Sequence, residues 1–114
     1  MPGSDRVEER LRAAVRARLE ALDRLLEHRV RLTVAVLLAP GRQLSFAALK
    51  GLTGESDGSL GAHLKRLSEA GYLALERGFV AGRPRTRYTL TPHGLAALER
   101  HLDALEGLLA EALA

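Results

Sequence analysis

The sequence contains no cysteine, tryptophan, isoleucine or asparagine, and aromatic residues make up only 4% of it. Without cysteine there is no disulfide scaffold, no thiolate-ligated zinc and no cysteine nucleophile. The shortage of aromatic and β-branched residues counts against an all-β sandwich or barrel, whose strands draw on those types. No run approaches the roughly 18 consecutive apolar residues that a membrane-spanning helix needs. The opening Met1-Pro2-Gly3-Ser4-Asp5 has no charged segment leading into an apolar one, so the expected location is the cytoplasm, away from membranes. What is abundant is Leu, 24 times, and Ala, 18 times, in 114 residues that are 46% apolar. The expectation is one mainly helical domain spanning 1–114, with a core of small aliphatics. A core of that kind is modest at this length, and burial in an oligomer would add to it.

The net charge of +3 is unevenly spread. Residues 1–27 are neutral, residues 28–93 carry a net +6 and residues 94–114 a net −3. A basic middle between a neutral and an acidic end implies an anionic partner for the middle and self-association or solvation for the ends.

Asp5 and Glu8 have capping-box spacing, and Val7, Leu11, Val15, Leu19, Leu22 and Leu26 recur every three or four residues beyond them. That pattern predicts an amphipathic N-terminal helix within 1–27. Val30 to Leu38 is almost continuously apolar and stops at Pro40-Gly41; it reads as a buried helix, with part-strand as the alternative. His28, beside Arg29, reads as a helix terminus rather than a ligand.

Ser45 then caps a helix of about two turns ending at Thr53-Gly54-Glu55. Ser56 caps the next, with Asp57 in its first turn and Gly71 just past its end. Two short helices joined by a tight turn make a helix-turn-helix. Beyond Gly71 the period changes from 3.6 to 2: Leu73 to Phe79 and Arg85 to Leu90 alternate around Val80-Ala81-Gly82-Arg83-Pro84, predicting a two-stranded hairpin. Thr91-Pro92 reopens a helix in which Leu95, Leu98, Leu102, Leu105 and Leu109 form a narrow seam of the kind helices use to pair.

Binding chemistry concentrates in the middle. If Leu60, Leu64 and Leu67 point inward, a turn of about 100° per residue aims Gly58, Ala62 and Lys65 outward, with Ser59 and Arg66 beside them and His63 at the shoulder. Small side chains let a helix sink into the DNA major groove, Ser59 and His63 can hydrogen-bond base edges, and Lys65 and Arg66 can reach phosphates. An ordinary solvated helix face is also polar, so the hairpin carries more weight. Arg83, Arg85 and Arg87 share one face at period 2 with no acid within five residues, and Arg77 on the facing strand can add to them. Such a cluster repels itself and is stabilised by a polyanion.

Catalysis finds little support: there is no phosphate-binding glycine loop, no His-Glu-x-x-His pair and no nucleophile elbow. His93, Glu99, His101 and Asp103 are close in sequence, yet His101 and Asp103 are two positions apart on a helix and point to different faces, so no metal site and no cofactor are expected.

Ser45 to Leu52, Ser56 to Leu73, the Gly82-Arg83-Pro84-Arg85-Thr86 turn and Tyr88 to Gly94 together resemble the winged helix-turn-helix transcriptional regulators of the MarR/ArsR type. The closest similarity is to their small single-domain subgroup with long terminal helices, and it covers about residues 28–113. The resemblance implies a mainly α fold with a two-stranded β-wing: an N-terminal helix (1–27), a winged-helix core (28–91) and a C-terminal dimerisation helix (92–114). It also implies a homodimer that binds double-stranded DNA, a recognition helix (56–70) in the major groove and a wing (72–90) on the backbone or minor groove. Ser56, Ser59 and His63 match the groove-facing positions, Arg83 and Arg85 the basic wing tip, and Ser45 a common phosphate contact. Thr53, Glu55, Gly51 and Gly61 depart from the family's usual residues around the turn.

The expected dimer interface is Leu11, Val15, Leu19 and Leu22 with Leu98, Leu102, Leu105 and Leu109, paired across a twofold axis and implying a pseudo-palindromic operator. The favoured function is a sequence-specific regulator, a repressor by occlusion. The alternatives are a winged-helix module that binds a protein instead of DNA, or an effector-responsive regulator with a pocket at the terminal helices; no residue names an effector.

Overall fold

A computed structural model describes residues 2–113. Helix α1 (Pro2–Ala21) leads through a single 3₁₀ turn at Leu25–Glu27 into α2 (Arg29–Leu38). There follow β1 (Leu44–Ser45), α3 (Phe46–Thr53), α4 (Asp57–Glu69), β2 (Leu73–Val80), β3 (Arg83–Leu90) and α5 (Pro92–Leu113). The strands form one antiparallel sheet in the order β1-β3-β2. The arrangement is a winged helix, and the expected two-stranded wing has gained a third strand. Leu44 and Ser45 are too short a segment to show alternation, and they become a strand only by pairing with Tyr88 and Arg87.

The helix boundaries follow from local chemistry. Ser45, Ser56 and His28 each accept a hydrogen bond from a backbone N–H of the turn they precede, from Ala48, Ser59 and Val30 respectively. Thr91 does the same for Gly94, and Pro92 occupies the first helical position. Gly54 ends α3 in the left-handed region, at φ 71°, where a side chain would be strained. Val30 to Leu38 is helical throughout, so the part-strand alternative fails. The N-terminal helix, 20 residues long, begins earlier than its apolar pattern suggests and stops before Leu22 and Leu26. It starts at Pro2, which places Asp5 inside its first turn rather than at the cap, and it stops at Ala21.

Asp23 is the reason it stops. Its Oδ1 accepts from the backbone N–H groups of Leu25 and Leu26, its Oδ2 accepts from the Tyr72 hydroxyl, and its own N–H donates to Nδ1 of the buried His101 at 2.9 Å. One residue thus ties the turn after α1 to α5 and to the residue preceding β2.

The core gathers Leu26, Val34, Leu38, Leu49, Leu60, Leu64, Leu67, Tyr72, Leu73, Tyr88, Ala97 and Leu98 from every element except α1 and β1. Burying a leucine of this kind contributes about 1.5–3 kcal/mol. Helix α1 packs instead along α5, whose buried stripe is Gly94, Ala97, Leu98, His101, Ala104 and Gly107. Small residues there let α1 come close: the Arg18 side chain crosses directly over Gly107, and Arg18 pairs with Glu111 at 3.8 Å. The leucine seam of α5 is therefore not its buried stripe, and of its members Leu98 belongs to the domain core.

Candidate nucleic-acid interface

Helix α4 presents Leu60, Leu64 and Leu67 to the core, each at most 2% exposed, so the opposite face is fixed by geometry. Ser56, Gly58, Ala62, Lys65 and Arg66 are exposed, in the positions their spacing predicts. Lys65 makes a loose surface pair with Glu69 at 3.9 Å, which holds little energy at that exposure. At the start of the helix, Lys50 of α3 and Asp57 of α4 pair at 2.8 Å and brace the turn between the two helices.

Two residues expected to meet DNA are held by the protein instead. The Ser59 hydroxyl donates to Glu55 Oε2 at 2.8 Å. His63 is half-buried, its ring 4.2 Å from that of His28, and Arg31 Nη1 stands 3.1 Å from its Nδ1. Because a guanidinium only donates, His63 Nδ1 must be the acceptor and the proton sits on Nε2. Burial first, then the positive charges of His28, Arg31 and Arg66, push the His63 pKa below its usual value, with Glu55 acting against them. His63 is therefore a neutral ring with one free donor edge.

Arg31, which the sequence pattern did not single out, is the buried partner of His63. It is 8% exposed, its Nε donates to the Leu25 carbonyl at 2.6 Å, and among the described residues it makes no ion pair with a carboxylate. Burial and the nearby Arg66 lower its pKa. Its signal was available: Arg31 shares the helical stripe of Ala35 and Leu38, four and seven residues on, which are buried.

The wing is a hairpin in which Val80 pairs with Arg83 across a two-residue turn. Ala81 and Gly82 both have positive φ, 52° and 77°, which is the type I′ geometry that matches strand twist. The turn is thus tighter than the five residues expected, and the strands run to its edge. Pro84 is accommodated because β1 pairs only with Arg87 and Tyr88, leaving β3 one-sided at Pro84.

Register decides which side chains share a face. Val80–Arg83, Gly78–Arg85 and Glu76–Arg87 are opposed pairs on one face; Phe79–Pro84, Arg77–Thr86 and Leu75–Tyr88 are opposed on the other. Arg83, Arg85 and Arg87 therefore do project together, all exposed and, among the described residues, without an ion pair. Two expectations need correction. Arg77 is on the opposite face of the ribbon and does not join the row. Glu76, seven residues or more away in sequence, is brought directly across from Arg87, so the arginine face carries one carboxylate near its base. Ser45 is the register partner of Arg87, which brings the N-terminus of α3 beside the root of the wing.

His93, Glu99 and Asp103 are exposed at separate points of α5, whereas His101 is occupied by the Asp23 N–H. No helix among the described residues is long and apolar enough to cross a membrane.

The fold and this surface define a winged-helix DNA-binding domain. The chain belongs to the winged helix DNA-binding domain family, which it matches over residues 30–109. Among solved structures it is similar to a transcriptional regulator homologue from Pyrococcus horikoshii OT3, at 23% identity and a TM-score of 0.74, covering 86% of this chain and 95% of that one. Sco3205, a MarR family transcriptional regulator from Streptomyces coelicolor solved in complex with DNA, matches at 23% identity and TM-score 0.60 over 96% and 76% of the two chains. A MarR family regulator from Silicibacter pomeroyi matches at 21% identity and TM-score 0.57 over 96% and 68%. No curated protein matches. The resemblance to MarR-type winged-helix regulators holds at the level of fold.

Proposed function

We propose that the protein is a cytoplasmic, sequence-specific regulator of transcription that binds double-stranded DNA as a homodimer and represses by occupying its operator. The observation that carries the DNA reading is the row Arg83, Arg85 and Arg87. Three guanidiniums on one face of a tight hairpin, exposed and unpaired among the described residues, repel one another and are neutralised best by regularly spaced phosphates. The exposed α4 face supports it: Gly58 and Ala62 leave room for base edges, while Lys65 and Arg66 lie where phosphates flank a groove. Ser45 and Ser56 at helix N-termini add phosphate contacts. Ser59 and His63 read bases only through what their internal partners leave free, the acceptor lone pairs of the Ser59 hydroxyl and the Nε2–H of His63.

The homodimer reading draws on shape and on uncovered leucine. A compact chain of about 100 residues has a radius of gyration near 13 Å, whereas this one has 18.4 Å and extents of 73 × 26 × 21 Å. Leu102, Leu105 and Leu109 are 38%, 41% and 61% exposed, and Leu11 and Leu19 are 43% and 53% exposed. A row of exposed leucines along one helix face is the kind of surface that pairing with a second copy covers. Val15 and Leu22 are half-buried and would contribute at the margin. A twofold pairing would set two α4 helices about one duplex turn, roughly 34 Å, apart on a pseudo-palindromic site.

The test is selection of bound duplexes from a random pool, followed by titration between 50 and 200 mM salt. Binding should weaken by orders of magnitude across that range if six or more phosphates are engaged. Arg85→Ala should weaken all sequences about equally and lower the salt slope by about one. An unchanged slope would remove the wing from the interface, and failure to recover any duplex would sink the DNA reading.

A further inference from the structure

The chain has four six-membered aromatic rings. Tyr72 and Tyr88 are in the core and Phe46 packs against it. The fourth, Phe79, is 77% exposed. It stands one rung below the closing pair of the wing, directly opposite Pro84, while the exposed Val80 next in the chain points to the other face of the ribbon. A phenyl ring held in water forgoes one of the larger gains a side chain can make on burial, and its place at the tip of the molecule's most basic element says what covers it.

The neighbouring charges discriminate between occupants. Arg77 lies on the face of the ring, two residues before it, and Arg83 and Arg85 project from the other face of the ribbon; all three are exposed and unpaired among the described residues. An apolar patch on another protein, or the wing of a second copy, would cover that face only by desolvating the Arg77 guanidinium, which gains no counter-charge there. Duplex DNA satisfies both groups at once, with phosphates for the arginines and the faces of base pairs for the ring. Apolar wedges of Phe or Pro entering the minor groove partially unstack a base step and kink the helix axis. The turn has no slack: two residues with positive φ close it, so the ring is carried at the end of a short, stiff ribbon.

Resting on the duplex-binding reading above, we propose that Phe79 is a wedge that enters the minor groove at each wing, unstacks one base step against Pro84 and bends the duplex, while Arg77 on the same face and Arg83 and Arg85 on the other hold the phosphates of the two groove walls. A wedge reads deformability. Pyrimidine–purine steps unstack most readily, so the protein selects TA or CA/TG beneath each wing at positions where it makes no hydrogen bond to a base.

The experiment uses the full chain, wild type and Phe79→Ala, in parallel selections from a random pool. The recovered sequences are then built into 30-base-pair duplexes with 2-aminopurine placed at each step in turn and a donor–acceptor dye pair at the ends. Wild type should raise 2-aminopurine fluorescence severalfold at one step under each wing and shorten the end-to-end distance. Phe79→Ala should keep the wild-type salt slope, lose the fluorescence rise, the bend and the pyrimidine–purine preference, and bind the selected site about tenfold more weakly. Phe79→Leu should recover part of the bend. If Phe79→Ala retains both the step preference and the fluorescence rise, the wedge is overturned while DNA binding stands. If Phe79→Ala instead changes the sedimentation of the free protein, the ring is a self-association contact and the wedge is again overturned. If wild type recovers no duplex at all, the wedge and the DNA reading fall together.

Discussion

Gly94 shows how little room single positions leave. A Cβ there would lie 2.3 Å from the Tyr72 carbonyl oxygen and 2.8 Å from Leu90 Cδ1. The backbone of Tyr72 cannot yield, because that carbonyl also accepts from the Thr91 N–H. Gly94→Ala should therefore destabilise by at least about 1–3 kcal/mol, the usual cost of overpacking, read as a lower urea midpoint. Tyr72 itself is held by burial and by its bond to Asp23, which together push its pKa up to about 12. His63 has a depressed pKa in the folded chain, so the unfolded chain binds its proton first as pH falls. The stability this ring confers is fully present above its unfolded value near 6.5 and is lost as pH drops through the lower folded value. Urea midpoints at pH 7.5, 6.5 and 5.5 should fall more steeply for wild type than for His63→Gln; parallel lines would mean the ring is not held neutral.

At the scale of elements, the positions of helices α3 and α4 depend on caps more than on propensity. Helix α4 begins with Asp57-Gly58-Ser59 and has Gly61 inside it, two glycines each about 1 kcal/mol worse than alanine. The Ser56 hydroxyl and the Lys50–Asp57 pair offset part of that cost. Ser56→Ala should destabilise by about 1 kcal/mol, seen in thermal melts, and should also weaken DNA binding because Ser56 is exposed at the helix tip. Gly58→Ala should do the reverse for stability, raising it by up to about 1 kcal/mol, since a Cβ there meets open space. The same Cβ would intrude on a groove, so a stabilised variant with weaker duplex binding is the expected pair of results. Equal or tighter binding would mean that α4 does not enter the groove at Gly58.

For the whole molecule, the decisive element is the paired rod of α1 and α5. It projects well beyond the core and leaves one leucine row to water while burying another stripe. Leu105→Asp with Leu109→Asp changes two exposed leucines of that row, both outside the core cluster. It should leave the circular-dichroism spectrum unchanged while converting a dimer to a monomer in sedimentation at micromolar concentration. Wild type sedimenting as a monomer under those conditions would contradict the pairing directly. Asp23 ties this rod to the domain, since its bonds to His101 and Tyr72 join α5 to the residue that links α4 with β2.

Much of this was readable from residue order. The caps at Ser45, Ser56 and Thr91, the inward face Leu60–Leu64–Leu67, the arginine row and the winged-helix order all depend on neighbours within a few positions, where periodicity and side-chain type suffice. Three matters could not be read that way. A strand as short as Leu44–Ser45 exists only through its partner. The placement of Arg77 and Glu76 depends on hairpin register, which a one-residue change in turn length would invert. Which stripe of α5 is buried beyond the core was settled by the close approach of α1 over Gly107, not by hydrophobicity, because leucine is the more apolar choice and small residues the closer-packing one. Local order is written in side-chain chemistry over a turn or two of chain; contacts between distant segments are settled by which surfaces can physically meet.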